Sequence, residues 1–233
     1  MNVADMYIDG EYLKHNPTWD VEDAPWKADL IFRMLQKHRL EPKTICEVGC
    51  GSGEILHHLQ KRMPAMCLFT GYEISPQAYN LCRQRENERL RFELKDFTVD
   101  VDCTCDLILL IDLIEHLEDY FKFLRSIKEK SYYKILHIPL EMFTLSSLYP
   151  QFLLGQRKKV GHLHYFSKEI ALQMLRDLGF EIIDYSYTAG YALPRDYGLK
   201  DKLLKIPRWL FYPASNDLTV RVFGGYSLLV LVK

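Results

Sequence analysis

An α/β fold built on a doubly wound, mostly parallel sheet is what this sequence predicts, and three observations carry the prediction. From Lys43 onward, apolar runs rich in β-type residues alternate with amphipathic helical stretches. The run "DLILLI" (106–111) is apolar throughout, as a central strand covered on both faces requires. The stretch "TICEVGCGSGEIL" (44–56) passes from strand-forming residues through three spaced glycines into helix formers, a strand–turn–helix order suited to a nucleotide-like ligand.

The elements follow in order. Strand one is Thr44 to Val48, and its helix starts near Gly53, places Ile55, Leu56 and Leu59 on one face and stops before Pro64. Strand two is Cys67 to Tyr72; Ser75-Pro76 then opens a helix with a capping hydroxyl and a proline at the first helical position. Strand three is about Leu90 to Leu94. After strand four, a helix around Tyr120 to Lys130 leads into strand five, "YYKILHI", closed by Pro139. Ser167 caps a helix that ends at Leu178 with Gly179 as its stop. Strand six is Glu181 to Tyr187, and strand seven is Tyr226 to Val232. Residues 1–42, with Tyr7, Tyr12, Trp19 and a helix from about Pro25 to His38, form an N-terminal cap segment. Residues 43–233 form the main domain, with an inserted cap region at about 188–225 rich in Pro, Tyr and Trp.

Composition bounds the function. The 233 residues carry 30 basic and 31 acidic side chains, a balance with no global pull toward nucleic acid or an anionic membrane. The start lacks the pattern of a signal peptide, and no apolar run reaches the roughly 20 residues of a spanning helix. Six cysteines without a paired C-x-x-C pattern read as buried thiols of a reducing, cytoplasmic protein.

Two cofactor families use loops of the 49–53 kind. A dinucleotide site needs G-x-G-x-x-G, but here the glycines are Gly49, Gly51 and Gly53, and Glu54 takes the third-glycine position. Glu47 at the end of strand one would repel phosphates and suits a cationic cofactor. Glu73, ending strand two, can accept the hydroxyls of a ribose. Asp96 after strand three can take the amino group of an adenine, with Phe97 beside the ring. The series "EVGCGSGE", "GYEISPQA", "KDF" and "DLILLIDLIEHLED" resembles the class I S-adenosylmethionine-dependent methyltransferases over roughly residues 43–187. That resemblance implies a Rossmann-like seven-stranded sheet with helices on both faces and the last strand inserted antiparallel between strands five and six. It also implies that Gly49, Cys50 and Gly51 approach the methionine part. Glu73 and Ile74 would hold the ribose, Asp96 and Phe97 the adenine, and Asp112 would close the site.

Methyl transfer from a sulfonium needs positioning and desolvation, and a base only where the acceptor carries a proton to be removed. Candidate catalytic residues are His116, in "IDLIEHLED", and His162 and His164, in "GHLHYFS". If 112–116 is helical, Asp112, Glu115 and His116 share one face. Three readings stand: structural hydrogen bonds that pin loops, a general base, or a divalent metal held by Asp112, Glu115, His116 and one later histidine. The metal set resembles that of RNA 3′-end and quinone-pathway methyltransferases. His137 reads as a hydrogen-bonded core residue, and Arg157, Lys158 and Lys159 as a solvated loop. Residues 142–154 read as core or a homodimer contact, and "KDKLLKIPRWLFYP" (200–213) as a segment able to rest on a membrane surface. The expected acceptor is a small molecule, semi-apolar or glycan-like, methylated at oxygen or nitrogen. The rivals are an RNA methyltransferase, a non-catalytic scaffold that keeps the cofactor fold, and a nicotinamide dehydrogenase.

Overall fold

In the computed structural model of the chain, residues 6–7, 10–16, 18–19, 21–98, 104–193 and 199–233 are described; Cys103 and residues 194–198 lie outside them. Seven strands form one sheet: β1 (Thr44–Val48), β2 (Leu68–Glu73), β3 (Leu90–Leu94), β4 (Cys105–Ile111), β5 (Ser131–Pro139), β6 (Ile182–Thr188) and β7 (Ser227–Val232). Their order is β3-β2-β1-β4-β5-β7-β6. The pairs from β3 to β5 are parallel, and β7 lies antiparallel to both β5 and β6. The strand predictions hold to within a residue or so at their ends, where fraying makes any boundary soft.

Side chains alternate across a strand, and that period divides the core in two. On one face Val48, Ile108, Leu110, Leu136 and Val230 pack with the helices at Tyr120–Ile127 and Lys168–Asp177. On the other, Ile45, Leu107, Leu109, Ile135 and Leu231 pack with the helices at Ala24–Lys37 and Glu54–Gln60. Each fully buried Leu or Ile contributes roughly 1.5–3 kcal/mol of transfer free energy, so β4, with Leu107 to Leu110 all buried, anchors both layers. The Ala24–Lys37 helix is part of this layer: Ala28, Ile31, Met34 and Leu35 are buried against the sheet. The 1–42 segment therefore covers the sheet as well as reaching the cleft.

The helices are α1 (Glu11–His15), α2 (Ala24–Lys37), α3 (Glu54–Gln60), α4 (Pro76–Cys82), α5 (Tyr120–Ile127), α6 (Thr144–Leu148), α7 (Pro150–Val160), α8 (Lys168–Asp177), α9 (Leu199–Phe211) and α10 (Asn216–Phe223). Predicted caps are in place: the hydroxyl of Ser75 accepts from the Ala78 amide, that of Ser167 from the Ile170 amide, and Gly179 ends α8 with φ 77°.

Three expectations need correction. Residues 112–116 do not form one helix face. Asp112 has a left-handed φ of 49°, only Ile114–His116 makes a 3-10 turn, and the Asp112 carboxylate is paired with Lys27 and His137. Arg157, Lys158 and Lys159 are exposed but lie in the last turn of α7, where cations complement the helix C-terminus, rather than in a loop. The 142–154 segment is core only at its start, where Phe143 and Ser146 are buried; Leu148, Tyr149, Phe152 and Leu154 are exposed, and α7 has no buried residue among its eleven.

Candidate active site

A cavity of about 1420 Å³ opens at the carboxyl ends of β1, β2, β4 and β5, where ligands of open parallel sheets bind. Its floor is built locally. The β1–α3 turn is tied to strand two, with the amides of Gly49 and Cys50 donating to the Tyr72 carbonyl at 2.9 and 3.1 Å. The Glu73 carboxylate accepts the Gly51 amide on one oxygen at 2.8 Å, and the Ile74 and Ser75 amides on the other at 2.8 and 2.7 Å. Burial pushes the Glu73 carboxyl up, and these three donors oppose that shift. A Cβ on Gly49 would meet Leu113 Cδ1 at 2.8 Å, so the bare backbone there leaves room that a side chain would fill.

Glu47 is buried at the end of β1, and one of its oxygens has no hydrogen-bond partner. Burial raises its pKa well above the usual carboxylate range, and the nearby Lys27 ammonium offsets part of that. An orphaned carboxylate oxygen in a cavity wall fits a cationic ligand group. Lys27 itself pairs with Asp112 at 2.7 Å, and His137 Nδ1 bonds the other Asp112 oxygen at 2.6 Å. Burial disfavours the Asp112 charge, but these two cations-in-waiting hold its carboxyl well below its ordinary value. His137 Nε2 bonds Thr188 Oγ1 at 2.8 Å, so this buried histidine is hydrogen-bonded on both nitrogens, as the core reading anticipated.

Deeper along the cavity, Glu115, His116 and His162 come together with ligand atoms within 4.8 Å of one another. Both Glu115 oxygens are buried without a hydrogen-bond partner. Burial and the neighbouring Asp112 charge push the Glu115 carboxyl well above its usual range. Burial and His162 lower His116 to about 3, so its ring is neutral, a weak base, and able to accept a hydrogen bond or bind as a ligand. His116 Nδ1 is 2.8 Å from the Tyr7 hydroxyl, which also donates to the Val160 carbonyl at 3.0 Å. His162 Nδ1 meets Glu141 at 2.7 Å, and Gln156 donates to the other oxygen of Glu141 at 2.6 Å.

Of the residues expected from sequence, Glu47, Gly49, Cys50, Gly51, Glu73, Ile74, Asp112, His116 and His162 line the cavity. Four do not. His164 bonds the Leu117 carbonyl at 2.9 Å and packs on Tyr120, so it pins a loop. The Phe97 ring is buried, packed at an angle on Tyr72 with Lys130 above it, and is not part of the cavity wall. Asp96 caps Thr98 through its amide and hydroxyl. Gly53 serves packing: its φ is 73°, and an added Cβ would lie 2.4 Å from Phe92 and 2.8 Å from Cys82. The metal set also changes, because Asp112 is spent on Lys27 and His137 while Glu115, His116 and His162 converge. Sequence reasoning missed Tyr7, Lys27 and Glu141. Only Glu141 carried a local signal, as a carboxylate just past a strand end like Glu47 and Glu73.

This sheet order and this cleft are those of the class I methyltransferase fold. The chain belongs to the methyltransferase domain family, whose profile matches residues 23–185. It is similar to ajmaline N-methyltransferase of Rauvolfia serpentina, 32% identical over 94 residues that cover 37% of this chain and 31% of that protein. The chain thus matches about a third of that relative's length. Among solved structures it resembles the plantazolicin methyltransferase BpumL in complex with SAH (TM-score 0.64, 16% identity, covering 100% of this chain and 94% of that one). It also resembles magnesium protoporphyrin IX methyltransferase from Synechocystis PCC 6803 with bound SAH (TM-score 0.60, 15% identity, 89% and 82% covered). At these identities the structures support the fold.

Proposed function

We propose that the cavity transfers the methyl group of S-adenosylmethionine to an oxygen or nitrogen of a small, semi-apolar acceptor. The observation that carries this reading is the continuity of one cavity. It runs from the cofactor-side carboxylates Glu47 and Glu73, past His116 and His162, to Tyr191, Arg208 and Tyr226 at the 188–225 region and the start of β7. Its volume exceeds the 300–1,000 Å³ or so of an ordinary ligand pocket, which supports two ligands side by side. In this reading the strand-end amides and Glu73 hold the adenosine and methionine parts, and Glu47 faces a cationic group of the cofactor. The 188–225 region and the N-terminal segment wall off water around the acceptor, leaving in-line displacement to the already activated sulfonium. His116 accepts a hydrogen bond from the acceptor and takes its proton only as methyl transfer makes that atom acidic, with Tyr7 fixing its ring and the Glu141–His162 pair beside it. A calorimetric titration with S-adenosylhomocysteine tests the cofactor half: micromolar binding lost in Glu73→Ala supports it, and no binding in the wild type overturns it.

A second reading is favoured by the two orphaned oxygens of Glu115. A divalent cation held by Glu115, His116 and His162 would satisfy them and would polarise an acceptor oxygen. Mixed carboxylate and imidazole donors suit such an ion. Repeating the titration in chelator and then with added manganese separates the two readings.

A further inference from the structure

Helix α9 is amphipathic the wrong way round for a soluble protein. Leu203, Ile206 and Leu210, at i, i+3 and i+7, all face solvent, with Trp209 beside them at 76% exposed. Among the side chains described in this helix, the one that is buried is a cation: Arg208 donates to the Phe223 carbonyl at 2.8 and 3.3 Å and lies over the Tyr191 ring. Helices α6 and α7 repeat the inversion, with Leu148 and Tyr149 about 70% exposed and Phe152 and Leu154 beside them. The two segments are linked across the molecule. Thr144 donates to the Arg221 carbonyl of α10, and the Phe211 ring stacks on Phe223. Together they form an apolar skirt, and Tyr149, Phe152 and Arg208 also line the cavity, so the skirt borders its mouth.

Charge on these segments is as uneven as hydrophobicity. Residues 142–160 carry Arg157, Lys158 and Lys159 and no acidic residue. Residues 199–212 carry Lys200, Lys202 and Lys205 against Asp201 alone, besides the buried Arg208, in a chain whose net charge is −1. An apolar face flanked by cations is complementary to an anionic bilayer surface, where rings and aliphatic side chains enter the headgroup boundary and lysines stay at the phosphates. A second protein chain would match the apolar residues, but would meet the exposed Arg157, Lys158 and Lys159 with like charge unless it were itself acidic.

We propose that the skirt formed by α6, α7 and α9 docks the enzyme on anionic phospholipid bilayers, with the cavity mouth at the headgroup plane. No helix among the described residues is long and apolar enough to cross a membrane, so the attachment is peripheral. The docking goes beyond the methyl-transfer reading and does not depend on it.

The test is co-sedimentation of the full chain with vesicles of phosphatidylcholine, with and without one-third phosphatidylglycerol. Expected is binding to the anionic vesicles, weakened by added salt, with a blue shift of tryptophan emission that Trp209→Phe removes. Leu203→Ser with Ile206→Ser should reduce partitioning about tenfold or more. Arg157→Glu, Lys158→Glu and Lys159→Glu, all at exposed positions, should abolish the preference for anionic lipid while far-ultraviolet dichroism stays unchanged. Equal binding to neutral vesicles, no binding to either, or binding indifferent to both sets of substitutions overturns the proposal. So does a dimer in sedimentation equilibrium that the Leu203→Ser and Ile206→Ser pair dissociates, which would assign the skirt to a second copy of the chain.

Discussion

The two ends of the cavity, proposed above to take the cofactor and the acceptor, are made differently. The cofactor end is assembled from neighbours in sequence. Gly49, Cys50 and Gly51 hang from Tyr72 and Glu73 by backbone hydrogen bonds, and each group lies within a few residues of a strand end. The acceptor end is assembled from distant pieces: Tyr7 meets His116 across 109 positions of sequence, and Glu141, His162, Tyr191 and Arg208 come from four further segments. The first is held by the sheet itself. The second is held by side chains, several of them buried and ionisable, whose partners arrive only when the chain folds. A cofactor shared by many reactions can be met by a rigid, local frame, whereas an acceptor is met by whatever the surrounding segments supply.

Substitutions can break this contrast. The largest effect is expected at the local end: Glu73→Ala releases three amides and a ligand acceptor together, and should weaken S-adenosylhomocysteine binding roughly 100-fold or more by calorimetry. Gly53→Ala comes next, in stability rather than binding. A Cβ forced into Phe92 at a left-handed φ should cost about 3 kcal/mol, read as a fall in Tm of roughly 6–12 °C. At the acceptor end, Glu115→Gln or His162→Gln should lower manganese affinity about tenfold while leaving S-adenosylhomocysteine affinity within a factor of two; equal loss of both would erase the distinction between the ends.

Glu47→Gln sharpens the contrast through pH. Because burial raises the Glu47 pKa in the folded state, the folded protein favours its proton more than the unfolded chain does. Stability from that group is present below about pH 4 and is lost as pH rises toward the folded value. The cofactor-free Glu47→Gln protein should therefore melt several degrees higher than wild type at neutral pH, with the gain shrinking toward pH 4, and should bind the cofactor less tightly. The smallest effect belongs to His164→Ala, which removes one hydrogen bond to Leu117 and should cost about 1 kcal/mol with no change in ligand binding.

The same contrast explains what could be read from the sequence. The strands and the residues that line the strand ends of the cavity were legible because each rests on period-two burial, a cap or a turn glycine, all of which are local, while the strand order followed from the family resemblance. Phe97 misled because an aromatic after a strand end can turn inward, and here Tyr72 and Lys130 offered it a site in the core. Asp112 misled because helical spacing was assumed through a residue with φ 49°, whose backbone is turned by its bonds to Lys27 and His137. Lys27 and Tyr7 carried no local signal, since their roles exist only through partners far along the chain. The outward apolar faces of α7 and α9 were visible as patterns, but which way they face is decided by packing.

The tethering of the 49–51 turn to strand two has a further consequence for how such a protein can diversify. Two amides on the Tyr72 carbonyl and one on the Glu73 carboxylate couple the turn to the register of its neighbour, so an insertion or deletion in either would displace the other. The cofactor end is thus closed to length variation. The excursion between β6 and β7, and the segment ahead of α2, add no strand to the sheet among the described residues and are held by side-chain contacts such as Tyr187–Asp217 and Tyr7–His116, so they can change in length without shifting that coupling. New acceptors would be gained by recombination of these outer segments around an unchanged inner frame, and sequence divergence in descendants of this chain should be concentrated accordingly.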